Sequence, residues 1–97
     1  MRFEIELTDE AVADFKVLKA LSRAAVMDAL EVHLRHGPEK VSRSRIKRLR
    51  EMSKPRFRLR VEDIRIFYDV EGSTVTVHAI VPKSEAASWL AQFGKGK

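Results

Sequence analysis

The stretch PRFRLRVEDIRIFYDV, residues 55–70, decides how the chain folds. Phe57, Leu59 and Val61 alternate with Arg56, Arg58 and Arg60. Successive side chains on a strand point to opposite faces, so this alternation predicts a strand with one apolar and one cationic face. Glu62 and Asp63 interrupt the pattern, and Ile64, Ile66 and Tyr68 resume it. A two-residue turn at Glu62 and Asp63 pairs Val61 with Ile64, Leu59 with Ile66 and Phe57 with Tyr68, all on one face. Arg60 then faces Arg65, and Arg58 faces Phe67. A slip of one residue would carry cations into the apolar face, so the register is strongly specified.

Working outward, a turn at Glu71 and Gly72 sets Tyr68, Ile66 and Ile64 opposite Val75, Val77 and Ala79, with His78 opposite Arg65. The polar face of this three-stranded meander then gathers Arg56, Arg58, Arg60, Arg65 and His78, with Phe67, Asp69 and Thr76 among them. Residues 2–7 alternate Phe3, Ile5 and Leu7 with Arg2, Glu4 and Glu6 and read as a first strand. Thr8 caps a helix that runs to about Leu21, with Val12, Phe15 and Leu18 at helical spacing. Ser22 offers a second cap, and Val26, Met27, Leu30 and Leu34 form another apolar stripe, stopped by Gly37 and Pro38. Residues 39–54 read mostly as loop, with Val41, Ile46 and Leu49 as anchors. Ser84 caps a last helix in which Ala86, Trp89, Leu90 and Phe93 share one side before Gly94 ends it. Trp89 reads as a core or interface anchor and Tyr68 as core. The expected fold is α+β: an N-terminal strand, a two-helix hairpin, an antiparallel three-stranded meander completing a small sheet, and a C-terminal helix, in one domain over residues 1–97.

Charge narrows the function. The chain carries a net +5, but residues 40–65 hold 11 Lys and Arg against three acids, while residues 1–39 are net negative. A cationic middle of this kind is the footprint of a polyanionic partner. The run SRSRIKRLR (42–50) adds Lys47, Arg48 and Arg50 to the candidate phosphate ligands, its alternative being a solvated basic loop. The absence of cysteine excludes disulfides, thiolate metal sites and cysteine nucleophiles, and fits a reducing cytoplasm. The N-terminus lacks the apolar stretch of a signal peptide and no run could span a bilayer, so a soluble, cytoplasmic protein with no membrane partner is expected.

No glycine-rich phosphate loop, no histidine pair at metal spacing and no serine, histidine and aspartate constellation stands in the sequence, so neither cofactor nor metal is expected. What remains is arginine, which binds phosphate bidentately, beside a histidine type that titrates near neutrality. That chemistry fits a phosphodiester. Converging guanidinium groups could also stabilise the charge that develops when a ribose 2′-hydroxyl attacks its own phosphate, a route open to RNA and closed to DNA. His78 could serve there as acid or base; its alternative is an exposed or hydrogen-bonded strand histidine. Arg60 and Arg65 could instead pair weakly with Glu62 or Asp63.

The order of elements, with LR at 49–50, FRLRVEDIRIFYDV at 57–70 and VPKSEA at 81–86, resembles the RelE/ParE toxin superfamily of bacterial toxin-antitoxin modules. The resemblance covers nearly the whole chain. It implies an mRNA endonuclease acting on the ribosome, as in the RelE branch, or a DNA gyrase inhibitor, as in the ParE branch; a catalytically weakened homologue acting mainly through antitoxin and operator binding is the third alternative. Under the RelE reading, Arg56 and Arg58 match two basic strand positions, Arg65 an arginine on the next strand, and Lys83 a basic residue just after the last strand. Ala87 stands where that branch has a tyrosine, and a guanidinium at Arg56 or Arg58 stays charged where the branch uses lysine for proton transfer. The candidate catalytic residues are thus Arg58, Arg65 and Lys83, matched by the resemblance, with His78 from the register; the candidate RNA ligands are Arg56 and Arg50 from the resemblance and Arg60, Arg48 and Lys47 from the cationic strand and the basic run. It implies three partners: an antitoxin segment of acidic and apolar residues, the ribosome with its mRNA, and operator DNA bound only by the toxin-antitoxin complex.

Overall fold

The structure is a computed structural model and describes residues 1–96. In chain order the elements are β1 (Glu4–Leu7), α1 (Asp9–Lys16), α2 (Ala20–Ala29), β2 (Ile46–Arg48), β3 (Met52–Lys54), β4 (Phe57–Val61), β5 (Ile64–Glu71), β6 (Thr74–Pro82), α3 (Lys83–Phe93) and β7 (Lys95–Gly96). This is the α+β order that the sequence predicts. β1, β6, β5, β4 and β2 form one sheet in that order, with β1 parallel to β6 and the other pairs antiparallel.

The hairpin of β4 and β5 has the predicted register, from Phe57 opposite Tyr68 to Val61 opposite Ile64. Its turn places Glu62 at φ +54°, a left-handed conformation that L side chains adopt at a cost. The apolar face packs against both helices: Phe57, Leu59, Val61, Ile66, Tyr68 and Val70 meet Ala11, Val26, Leu30 and Leu34 in one core. Full burial of each such aliphatic or aromatic side chain contributes about 1.5–3 kcal/mol. Tyr68 stacks on Phe57 at 5.5 Å and donates its hydroxyl to the Pro38 carbonyl at 2.5 Å, so its one polar atom is satisfied inside the core. Burial pushes its phenol well above the ordinary range.

Several local expectations are corrected. Thr8 does cap α1, accepting from the Ala11 amide, but the helix stops at Lys16; Val17 and Leu21 are 83% and 87% exposed in the connection and the first turn of α2. α2 begins at Ala20, with Lys19 as its N-cap residue, whose carbonyl accepts the Arg23 amide at 2.9 Å while the Arg23 side chain reaches back to the Leu18 carbonyl; Ser22 lies inside the helix instead of capping it. Val12 and Met27 face outward, while Ala11 in α1 and Val26 and Ala29 in α2 hold the buried positions. α2 widens into a π-helical turn over Leu30–Leu34, where the Arg35 amide bonds the Leu30 carbonyl. Residues 39–54, expected as loop, contain β2 and β3; Ile46 is buried opposite Leu59 and draws the basic run into the sheet edge. Pro82, not Ser84, is the N-cap residue of α3.

The second hairpin differs most. Its turn lies at Gly72 and Ser73, with Gly72 at φ +60°, and Glu71 pairs with Thr74. Asp69 therefore faces Thr76 and Tyr68 faces Val77, and a bulge at His78 shifts Phe67 opposite Ala79 and Arg65 opposite Val81. An extra residue in one strand of a pair reverses which side chains reach each face beyond it. Ala79 thus leaves the main core and joins Phe67 and Val81 on the opposite face, where Leu49, Ala86, Trp89 and Leu90 cover them.

Candidate functional site

The face predicted as an open cationic sheet is divided by α3. Trp89 stacks on Phe67 with ring centroids 5.0 Å apart and planes 7° from parallel, which anchors the helix across the middle of the sheet. Phe67, alone among the apolar residues on the predicted polar face, was the sequence signal that something covers it; Ala79 and Val81 join it there only through the bulge.

On one side of the helix lie Arg58, Arg60 and Arg65. Arg60 is exposed, whereas Arg65 is only 6% exposed and donates from Nη1 to the Glu62 and Ile64 carbonyls at 2.8 and 3.0 Å. The hairpin turn thus holds this guanidinium in place. Arg58 lies across from Lys47 on β2, and its Nε is buried with no hydrogen-bond partner. Burial first, then the positive charges of Arg65 and Arg60, lower its pKa from the ordinary arginine value. A guanidinium remains charged at neutral pH all the same. Lys83 is exposed at the start of α3, where its amide bonds the Asp63 carbonyl at 2.6 Å and brings it to the same hairpin end. Lys47, Arg48 and Arg50 line a groove of about 670 Å³ with Leu49, Met52 and Leu90. Arg48 also lies 5.3 Å from the Phe57 ring centre.

On the other side the structure separates two predicted residues from this group. His78 does not face Arg65; its Nε2 lies 3.0 Å from Asp69 Oδ2. Arg56 turns to the same carboxylate, donating its amide at 2.8 Å and its Nε at 3.2 Å to Oδ1, and its Nη2 to the Val70 carbonyl at 2.5 Å. Burial works against the charge on Asp69, but the bonds from His78 and Arg56 outweigh it and hold its pKa below the ordinary carboxylate value. Sequence reasoning placed Asp69 on this face without seeing the cluster, because the bulge that creates it leaves no period in the sequence. His78 borders a cleft of about 470 Å³ shared with Asp14, Lys54, Trp89, Phe93 and Lys95.

The arrangement offers fixed positive charge on one side of α3 and a carboxylate-imidazole pair on the other. Among the described residues no cluster of three His, Asp or Glu side chains could hold a metal ion, and no helix is long and apolar enough to cross a membrane.

Comparison with known proteins bears on the fold. No protein-family model matches the chain, and no curated protein matches it in sequence. Among solved structures, a chain of the archaeal RelE-RelB complex from Pyrococcus horikoshii OT3 superposes with a TM-score of 0.70 at 16% identity, over 86% of this chain and 97% of that one. A chain of the RelB-RelE antitoxin-toxin complex from Methanococcus jannaschii gives a TM-score of 0.58 at 15% identity, over 87% and 96%. At these identities the likeness is one of fold.

Proposed function

We propose that the chain is the toxin of a toxin-antitoxin module and a metal-independent mRNA endonuclease that acts on the ribosome and inhibits translation. The observation that carries this reading is Arg58: a partly buried guanidinium whose Nε has no partner, crowded by Arg60 and Arg65. Isolated, such a group is costly; a phosphodiester supplies both the missing acceptor and the missing charge. Arg58 and Lys83 then meet the reacting phosphate and Arg65 adds fixed charge beside it. Arg60, Lys47, Arg48 and Arg50 hold flanking phosphates, whereas Arg56, engaged by Asp69, orients that carboxylate. The likeness of fold to toxin-antitoxin complexes supports the same reading.

The test is primer-extension mapping of transcripts after induction. Cuts within translated mRNA that disappear in Arg58→Ala are expected; toxicity without cleavage would remove the reading. One observation favours a second: Ala87 leaves α3 with no phenol at that position, as suits a gyrase inhibitor that needs no chemistry. Inhibition of supercoiling by the purified protein would establish it. Under either reading an antitoxin segment with acidic and apolar residues would cover the cationic face and the exposed Val17 and Leu21, and the complex would bind operator DNA.

A further inference from the structure

We propose that the outward side of α2 binds a second copy of this chain, the two helices lying antiparallel across a two-fold axis near Ala24. The inference does not depend on the endonuclease reading.

α2 is apolar on two sides. Val26 and Ala29 are buried and pack it onto the sheet. At about 3.6 residues per turn, Ala20, Leu21, Ala24 and Met27 share the opposite side, and all four are exposed. Beyond the two ends of the helix, Val17 and Val32 are 83% and 62% exposed. A second apolar stripe with nothing packed on it marks a contact surface.

Charge selects the occupant. The N-terminal end of α2 is basic, with Lys16 and Lys19 exposed, and the C-terminal end is acidic, with Asp28 and Glu31 exposed. The helix dipole favours the reverse order, and α2 has no acid in its first turn and no base in its last. Among the described residues Lys16, Lys19 and Asp28 have no ion-pair partner within the chain, whereas Glu31 is held by Arg35. An order that is unfavourable in one helix becomes complementary when a copy is laid against it antiparallel: each basic end meets an acidic end, and the contact occurs twice by symmetry. The apolar residues obey the same symmetry, since Val17 then lies toward Val32 of the other copy and Leu21 toward its Met27. An acidic segment matches only the end at Val17 and Leu21, whereas a second copy matches both, so an antitoxin segment that reaches Val17 and Leu21 displaces the second copy.

α2 is 10 residues long, about 15 Å. Such a pair buries less than the roughly 800 Å² per partner of a standard interface, so the dimer is weak, with a Kd on the order of 10 µM. The contact lies on the far side of the sheet from Arg58 and Arg60, which alternate with the core residues of β4, so both cationic faces of the dimer stay open.

Sedimentation equilibrium of the free chain from about 1 to about 200 µM should show a monomer-dimer equilibrium. A chain that stays monomeric throughout overturns the proposal and leaves this face to the antitoxin segment. Leu21→Glu and Met27→Glu, both at exposed positions, should each raise the Kd at least about 30-fold while keeping the wild-type circular dichroism spectrum. A dimer that survives both substitutions uses another face and overturns the proposal. Asp28→Lys should weaken the dimer about fivefold, and adding Lys19→Glu should restore it to within about twofold. A double variant no tighter than Asp28→Lys alone overturns the antiparallel arrangement.

Discussion

Arg58 and Arg65 are neighbours of one residue type with opposite roles. Arg65 is buried and bonded to two carbonyls of its own hairpin, so Arg65→Ala leaves those acceptors bare and should cost about 1–3 kcal/mol in urea unfolding. Arg58 has no such bonds at Nε and sits among like charges, so Arg58→Ala should leave stability unchanged or raise it, and, under the function proposed above, should weaken RNA binding. A large loss of stability in Arg58→Ala would show that its charge is already compensated. Asp69 gives a pH test. Its folded pKa lies below the unfolded value, so its contribution is fully present above the unfolded carboxylate pKa and is lost as the pH falls through the folded one. Urea titrations stepped down through the acid range should show this loss in wild type, and Asp69→Asn should flatten it.

At the scale of elements, one turn and one helix end constrain their residues in different ways. Glu62 holds a left-handed conformation in the turn of β4 and β5, so Glu62→Gly should stabilise the protein by up to about 1 kcal/mol, read as a higher melting temperature. Gly94, which follows α3, has an ordinary φ but no room: a Cβ there would lie 2.3 Å from Met52 Cε and 2.7 Å from the Leu90 carbonyl. Gly94→Ala should therefore cost about 1–3 kcal/mol and loosen the pairing of β7 with β3. These elements also show what the sequence reveals. The register of β4 with β5 was legible because alternation and a two-residue turn agreed on one answer. The register of β5 with β6 was not, since Glu71-Gly72 and Gly72-Ser73 are both reasonable turns and a bulge has no signature in periodicity. The helix starts differ from the serine caps because Lys19 and Pro82, neither with a capping side-chain bond, stand at those ends, and no serine hydroxyl is used there.

For the whole molecule, charge separation is the organising property. The first third is net negative and the middle strongly positive, and the fold lays the positive part along β4, β2 and the start of α3. Binding to a polyanion should therefore weaken steeply with salt, and a series of affinities between low and physiological ionic strength should give a clear negative slope. A flat series would mean that the cationic face is not the contact surface. The candidate site was legible as a set of residues and illegible as a place: alternation put the arginines on one face, but only the packing of Trp89 on Phe67 shows that α3 splits that face in two.

The parallel pairing of β1 with β6 has a kinetic meaning. Glu4 meets Thr74 and Leu7 meets Val77, partners 70 positions apart, while β4, β5 and β6 connect through tight turns. Closing so long a loop is slow compared with zipping a hairpin, so the meander should form early and the N-terminal strand should dock late. During synthesis, a strand made well before the meander would be among the last to find its place.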